Sequence, residues 1–140
     1  MSEQLVTFAL GTREYATPLQ SVREVVRLEG LADLPGMAPP LAGVLDLRGT
    51  SLPVLDLRVG ATAETRGDVL VLERGQADGE GSVGVAVDRV RAVVTRDELP
   101  QAGPGAEDGV LPAYVVEVLR GALGPVFLVD LEGMIDAARV

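Results

Sequence analysis

Two copies of Leu-Asp-Leu-Arg, at 45–48 and 55–58, stand ten residues apart, and each sets a carboxylate two places before a guanidinium group. Held side by side, Asp46 and Asp56 could share a proton or raise one another's pKa, which is what acid–base work by paired carboxylates requires. A small hydrolase or cation-dependent enzyme built on them and on nearby hydroxyls predicts a concave pocket with converging carboxylates. In an extended chain, however, Leu45, Leu47, Leu55 and Leu57 fall on one side and the four charged residues on the other. Asp46 and Asp56 are then expected in water, where neither effect arises. The same charges suit docking on another protein.

Composition narrows the chemistry further. The chain has neither Cys nor His, which removes thiol nucleophiles, imidazole bases, disulfides and the usual zinc and copper ligands. No metal and no cofactor are expected. All twelve positive charges are Arg, a residue fitted to planar, bidentate recognition of carboxylates and poorly fitted to proton transfer. The formal net charge of −9 repels phosphate backbones and anionic headgroups, so nucleic acid and membrane surfaces are poor partners. The sequence shows no membrane-length apolar run and no basic-then-apolar leader, so a cytoplasmic location is expected.

The elements that must carry these residues read mainly as strands. Hydrophobic residues make up 47% of the chain but aromatics only 3%, so the core is built of Val and Leu, and Val favours a pleated surface. Val6, Phe8 and Leu10 alternate before a Gly11-Thr12 turn, predicting an opening hairpin. Ser21 with Glu24 has the spacing of a capping box, and Val22, Val25 and Val26 share a helical face, predicting a short helix. The Gly- and Pro-rich run over 28–41 is a connection. Two half-buried strands then carry the repeated Leu-Asp-Leu-Arg, with Leu52-Pro53 marking a sheet edge or strand start. "DVLVLE" at 68–73 suits a buried strand, as do the alternating valines at 83–87 and the stretch over 90–94. The segments 60–66, 74–82 and 101–109 read as connectors or exposed loops, the last poorly ordered. Two more strands and a final helix close the chain, with Asp130 as N-cap and Leu131, Met134, Ile135 and Ala138 on one helical face.

Internal repetition adds a constraint on architecture. Arg48-Gly49 and Pro53-Val54 recur 72 residues later as Arg120-Gly121 and Pro125-Val126, and Asp56-Leu57 has a counterpart in Asp130-Leu131. "SVREVV" at 21–26 is similar to "RVRAVV" at 89–94. The offsets predict two similar β subdomains of about 70 residues, a length at which a lone core is marginal. Residues 1–140 are therefore expected to form a single domain of two interlocked units.

Set together, "FALGTREYATPLQSVREVV" and "AGVLDLRGTSLPVLDLR" resemble the CheW-like family of chemotaxis coupling proteins, with its opening hairpin bearing a Tyr, its Val-x-Glu and its Leu-Arg-Gly turn followed by Pro-Val. "VGVAVDRVRAVV" and "PVFLVDLEGMI" look like the family's second half. The resemblance implies a mainly β fold of two interlocked, SH3-like five-stranded barrels with short helices. It implies a non-enzymatic adaptor that couples methyl-accepting chemoreceptors to a CheA-type histidine kinase and is recruited to membrane-associated receptor arrays. Carried over by position, it puts Glu24, Gly43 and Arg48 on the receptor-facing surface and Val6, Leu19 and Val22 at the kinase contact. A Glu24–Arg48 pair would orient the guanidinium group. Two departures stand out: Asp46 where the family often has Asn, and Val116-Glu117 where it usually has a Gly. They leave room for a relative that binds receptor without activating the kinase, or one that serves another motility pathway.

Overall fold

The computed structural model describes residues 3–32, 36, 40–58, 66–73, 81–102 and 111–138. Strands β1 (Gln4–Leu10) and β2 (Arg13–Pro18) form the opening hairpin. Where the capping-box spacing predicts a helix, the chain makes one 3-10 turn at Leu19–Ser21 and then a strand, β3 (Glu24–Arg27). Strand pairing satisfies these backbone groups: Glu24 to Arg27 lie opposite Val71 to Asp68. The β-branched valines are at ease there, and the Glu24 carboxylate is engaged elsewhere.

The chain continues through β4 (Leu41–Leu47), β5 (Thr50–Asp56), β6 (Asp68–Glu73), β7 (Ser82–Val87) and β8 (Arg89–Thr95). A 3-10 turn at Arg96–Glu98 carries the capping box that was expected at Ser21: the Glu98 carboxylate accepts from the Thr95 backbone N–H at 2.8 Å. Strands β9 (Val115–Gly121) and β10 (Gly124–Val129) and helix α1 (Leu131–Ala138) complete the fold. Met134 N–H donates to the Asp130 carbonyl, which places Asp130 at the helix start. Among the described residues, no helix is long and apolar enough to cross a membrane. Most of segments 60–66, 74–82 and 101–109, read above as connectors and loops, lies outside the described residues.

The strands form two five-stranded sheets, ordered β8-β1-β2-β10-β9 and β3-β6-β7-β5-β4. Replacing β3, β6, β7, β5 and β4 by β8, β1, β2, β10 and β9 turns the second order into the first. Directions correspond too, since each sheet has a single parallel pair, β5 with β7 and β2 with β10. The repeat is therefore real, but its units are not the two halves of the chain. The first hairpin joins strands contributed from Arg89 onward, so the sheet containing it combines the start of the polypeptide with its later part.

Each sheet is closed by one bridge. Ala32, just past β3, pairs with Val44 of β4, and Gln101, past β8, pairs with Leu119 of β9. Gly43 makes the first closure possible, because a Cβ there would lie 2.4 Å from the Ala32 carbonyl oxygen. Pro53 lies in β5, an interior strand, so the expected sheet edge is not there. Its missing N–H is tolerated because the parallel pairing with β7 begins only at Val54.

Side-chain alternation explains why the barrels interlock. Val69 and Val71 of β6 point into their own barrel with Leu45, Leu52 and Val54, whereas Leu70 and Leu72 point to the other face. There they meet Val6 and Phe8 of β1, Phe127 and Val129 of β10, and Leu131, Met134 and Ile135 of α1. Leu5, Ala16, Leu119, Val126 and Leu128 fill the second barrel. The junction between barrels is the largest of the three clusters. Strands such as β6 are buried on both faces, which is why "DVLVLE" reads as an unbroken apolar run. Ala138 is the exception on α1, exposed at its end.

Candidate docking site

Arg48 and Gly49 form the two-residue tip between β4 and β5, with φ of 51° and 87°. Positive φ at both positions is the type I′ geometry that matches the twist of paired strands, and Gly at the second position is its usual occupant. Arg48 is the one non-glycine residue with positive φ among the described residues. An Asn or Gly would adopt that conformation with less strain. Asp46 stabilises the turn locally, accepting from the Gly49 N–H at 3.0 Å. The extra carboxylate that departs from the family pattern thus caps the tip and forms no ion pair with Arg48.

Across from the tip, Glu24 at the head of β3 accepts both arms of the guanidinium group, Nη1 to Oε1 at 3.1 Å and Nη2 to Oε2 at 2.5 Å. The pair expected from sequence forms, though between a strand and a turn. Hydrogen bonding from Arg48 lowers the Glu24 pKa, and the same bond raises that of Arg48. The Arg48 side chain remains 64% exposed against 26% for Glu24. The carboxylate is a backing plate, and the guanidinium edge faces outward. Beside it, Arg23 donates to the Ser82 hydroxyl at 3.2 Å and pairs with Glu73 at 3.5 Å, so this side of β3 is densely charged.

The other sequence-derived positions fall in different environments. Gly43 is buried at the barrel closure, where its close neighbour is Ala32. Leu19 and Val22 are partly buried, packed on the junction core with some surface left open. Val6 is only 2% exposed, a core residue between the barrels rather than part of the open surface. Its alternation with Thr7 placed it on an apolar face, but not on which apolar face.

The carboxylate dyad does not form. Asp46 lies opposite Ser51, so Asp56 is five residues further along β5, roughly 17 Å at strand rise. Asp56 is not in open water either, as the alternation had suggested. It grips Arg58, accepting from Nε at 2.9 Å and from Nη2 at 2.8 Å, while Nη1 donates to the Arg66 carbonyl at 3.1 Å. The Arg58 side chain is wholly buried. Hydrogen bonding to Asp56 outweighs desolvation and raises its pKa. Among the described residues, no cluster of acidic residues is arranged to hold a metal ion.

In the other barrel, Glu117 is taken up by Arg96, and the neighbouring Val116 is 65% exposed. Leu123, at the β9–β10 tip, is 88% exposed.

A CheW-like domain model matches residues 4–139. The chain belongs to the CheW-like family. It is 29% identical over 147 aligned residues to the chemotaxis protein CheW of Klebsiella aerogenes, covering all of this chain and 86% of that protein. To the Treponema pallidum chemotaxis protein CheW it is 24% identical, covering 98% and 84%. The crystal structure of the scaffolding protein TtCheW from Thermoanaerobacter tengcongensis superposes with a TM-score of 0.69 at 21% identity, covering 94% of this chain and 86% of that one. The two barrels are accordingly the SH3-like subdomains of the CheW fold. The family is one of non-enzymatic chemotaxis scaffolds, in keeping with a site made of a strained turn and an ion pair.

Proposed function

We propose that this CheW-like protein couples the cytoplasmic tip of a methyl-accepting chemoreceptor to the regulatory domain of a CheA-type histidine kinase, working in the cytoplasm at receptor arrays. The observation that carries this reading is Arg48: a bulky cationic residue held in left-handed backbone conformation at a hairpin tip, with both guanidinium arms braced by Glu24. Strain concentrates where function requires a particular side chain. Glu24 fixes the fork, and the exposed edge meets acidic or carbonyl groups on the receptor's helical hairpin. Gly43 supports that surface by letting β4 close against Ala32. Leu19 and Val22 supply the apolar part of the kinase contact, and Val6 supports them from within.

The mechanism is positional. Contacts that shift with receptor state alter kinase activity, and each contact can be weak because multivalent assembly supplies avidity. The test is a pull-down of the receptor tip and of the kinase regulatory domain with wild type and Arg48→Glu. Receptor capture is expected to fall while kinase capture and the folded spectrum stay unchanged. Unchanged receptor capture by a folded Arg48→Glu protein would remove Arg48 from the site.

A further inference from the structure

We infer that the cleft where β3, the start of β6 and the β7–β8 link meet is a carboxylate-binding site for an acidic peptide segment of a partner protein, separate from the Arg48 surface. Arg27, Arg66 and Arg89 line this cleft of about 440 Å3 together with Leu28. Of the other described arginines, Arg23, Arg48, Arg58, Arg91 and Arg96 each pair with a carboxylate and Arg13 lies over the Phe127 ring, while Arg120 sits apart on β9 of the other barrel. The guanidinium groups of Arg27, Arg66 and Arg89 have no hydrogen-bond or ion-pair partner among the described residues. Three uncommitted guanidinium groups converge on one concavity.

Acids are close by but committed to the backbone. Asp68 lies directly across from Arg27 in the β3–β6 ladder, yet its Oδ2 accepts from the Val90 N–H at 2.8 Å. Asp88 Oδ2 accepts from the Gly11 N–H at 2.7 Å. These bonds hold the link between barrels and leave the arginines unpaired.

The charge balance selects the ligand. Glu29, Asp68 and Asp88 also line the cleft, and the whole chain carries −9, so a dense polyanion is repelled while single carboxylates spaced along a peptide fit the forks bidentately. Val25, 43% exposed, lies on the same side of β3 as Arg27 and extends the site with an apolar patch. An acidic segment bearing one aliphatic residue matches both features. Glu24 and Arg27 project to opposite sides of β3, so the cleft and the Arg48 surface can be occupied independently.

The test is an amide-resonance titration of the full chain at low salt with a capped octapeptide holding three Glu and one Val among Gly. Saturable shifts are expected at Arg27, Gly67, Asp68 and Arg89, in wild type and equally in Arg48→Glu. Replacing all three arginines by Gln should weaken the dissociation constant at least about tenfold, the worth of one lost charge-assisted bond. Arg66→Gln alone should weaken it by a smaller factor and serves if the triple variant does not fold. Absence of saturable shifts, equal shifts with a Gln-for-Glu peptide, full binding retained by both variants, or the same saturation by inorganic phosphate would each overturn the assignment.

Discussion

The two barrels share strand order, direction and mode of closure, yet their edge strands and hairpin tips have diverged. Val25 of β3 lies opposite Leu70, and Val93 of β8 lies opposite Val6; both valines are exposed, at 43% and 53%. One position earlier stand Glu24 and Ala92. At the corresponding tips stand Arg48-Gly49 and Ala122-Leu123. One barrel therefore carries a braced guanidinium group where the other carries small and apolar side chains. What packs has been kept, since the same alternation feeds one shared core; what faces outward has been specialised. Two copies of one scaffold can in this way present two kinds of surface.

The comparison is tested most severely by the buried charge. Asp56–Arg58 has its sequence counterpart in Asp130 and Glu132, which cannot make such a pair. Arg58→Ala would strand a half-buried carboxylate, and a loss of about 3 kcal/mol in urea unfolding is expected; a loss near zero would mean that the pair is dispensable and the barrels equivalent there. Next in size is the closure. Gly43→Ala drives a methyl group against the Ala32 carbonyl, whereas in the other barrel the residue before the bridged Leu119 is Val118, which carries a full side chain. A cost of roughly 2 kcal/mol, typical of overpacking, is expected by thermal unfolding, with the β3–β7 barrel losing amide protection first.

A smaller effect follows from pH. Because Arg48 lowers the Glu24 pKa in the folded protein, the pair contributes stability above the ordinary Glu value of about 4.3, and that contribution is lost as pH falls through the lowered folded value. Wild type and Glu24→Gln should differ in urea midpoint near neutrality and converge in acid. Convergence at neutral pH instead would show that the brace adds no stability. Smallest of all is Leu123→Ser at the other tip, which should leave stability within about 0.5 kcal/mol because so little of the side chain is buried.

Alternation makes most strands legible, and the repeat points to two similar units. The same repeat could not show that β1 and β2 complete the far barrel, because the parallel β2–β10 pairing joins residues more than a hundred positions apart. The helix predicted over 21–26 rested on spacing that helix and strand both satisfy; the ladder to β6 decided it. Glu24–Arg48 was readable as a charge pair near a turn, but the left-handed conformation of Arg48 was not, since Arg gives no turn signal of its own. Arg58 shows the limit most clearly. Its place on the polar side of an alternating strand implied solvent, and its burial depends on Asp56 and the Arg66 carbonyl closing over it.

The central claim is that Glu24 holds Arg48 for a partner to read, and reversing the pair tests it most directly. Arg48→Glu, Glu24→Arg and the double exchange should each be measured for receptor-tip affinity by titration calorimetry. The account predicts that the exchange restores the intramolecular bridge without restoring affinity, because the cation now sits on β3. Recovery of wild-type affinity in the double exchange would contradict it, reducing the pair to a brace for the turn.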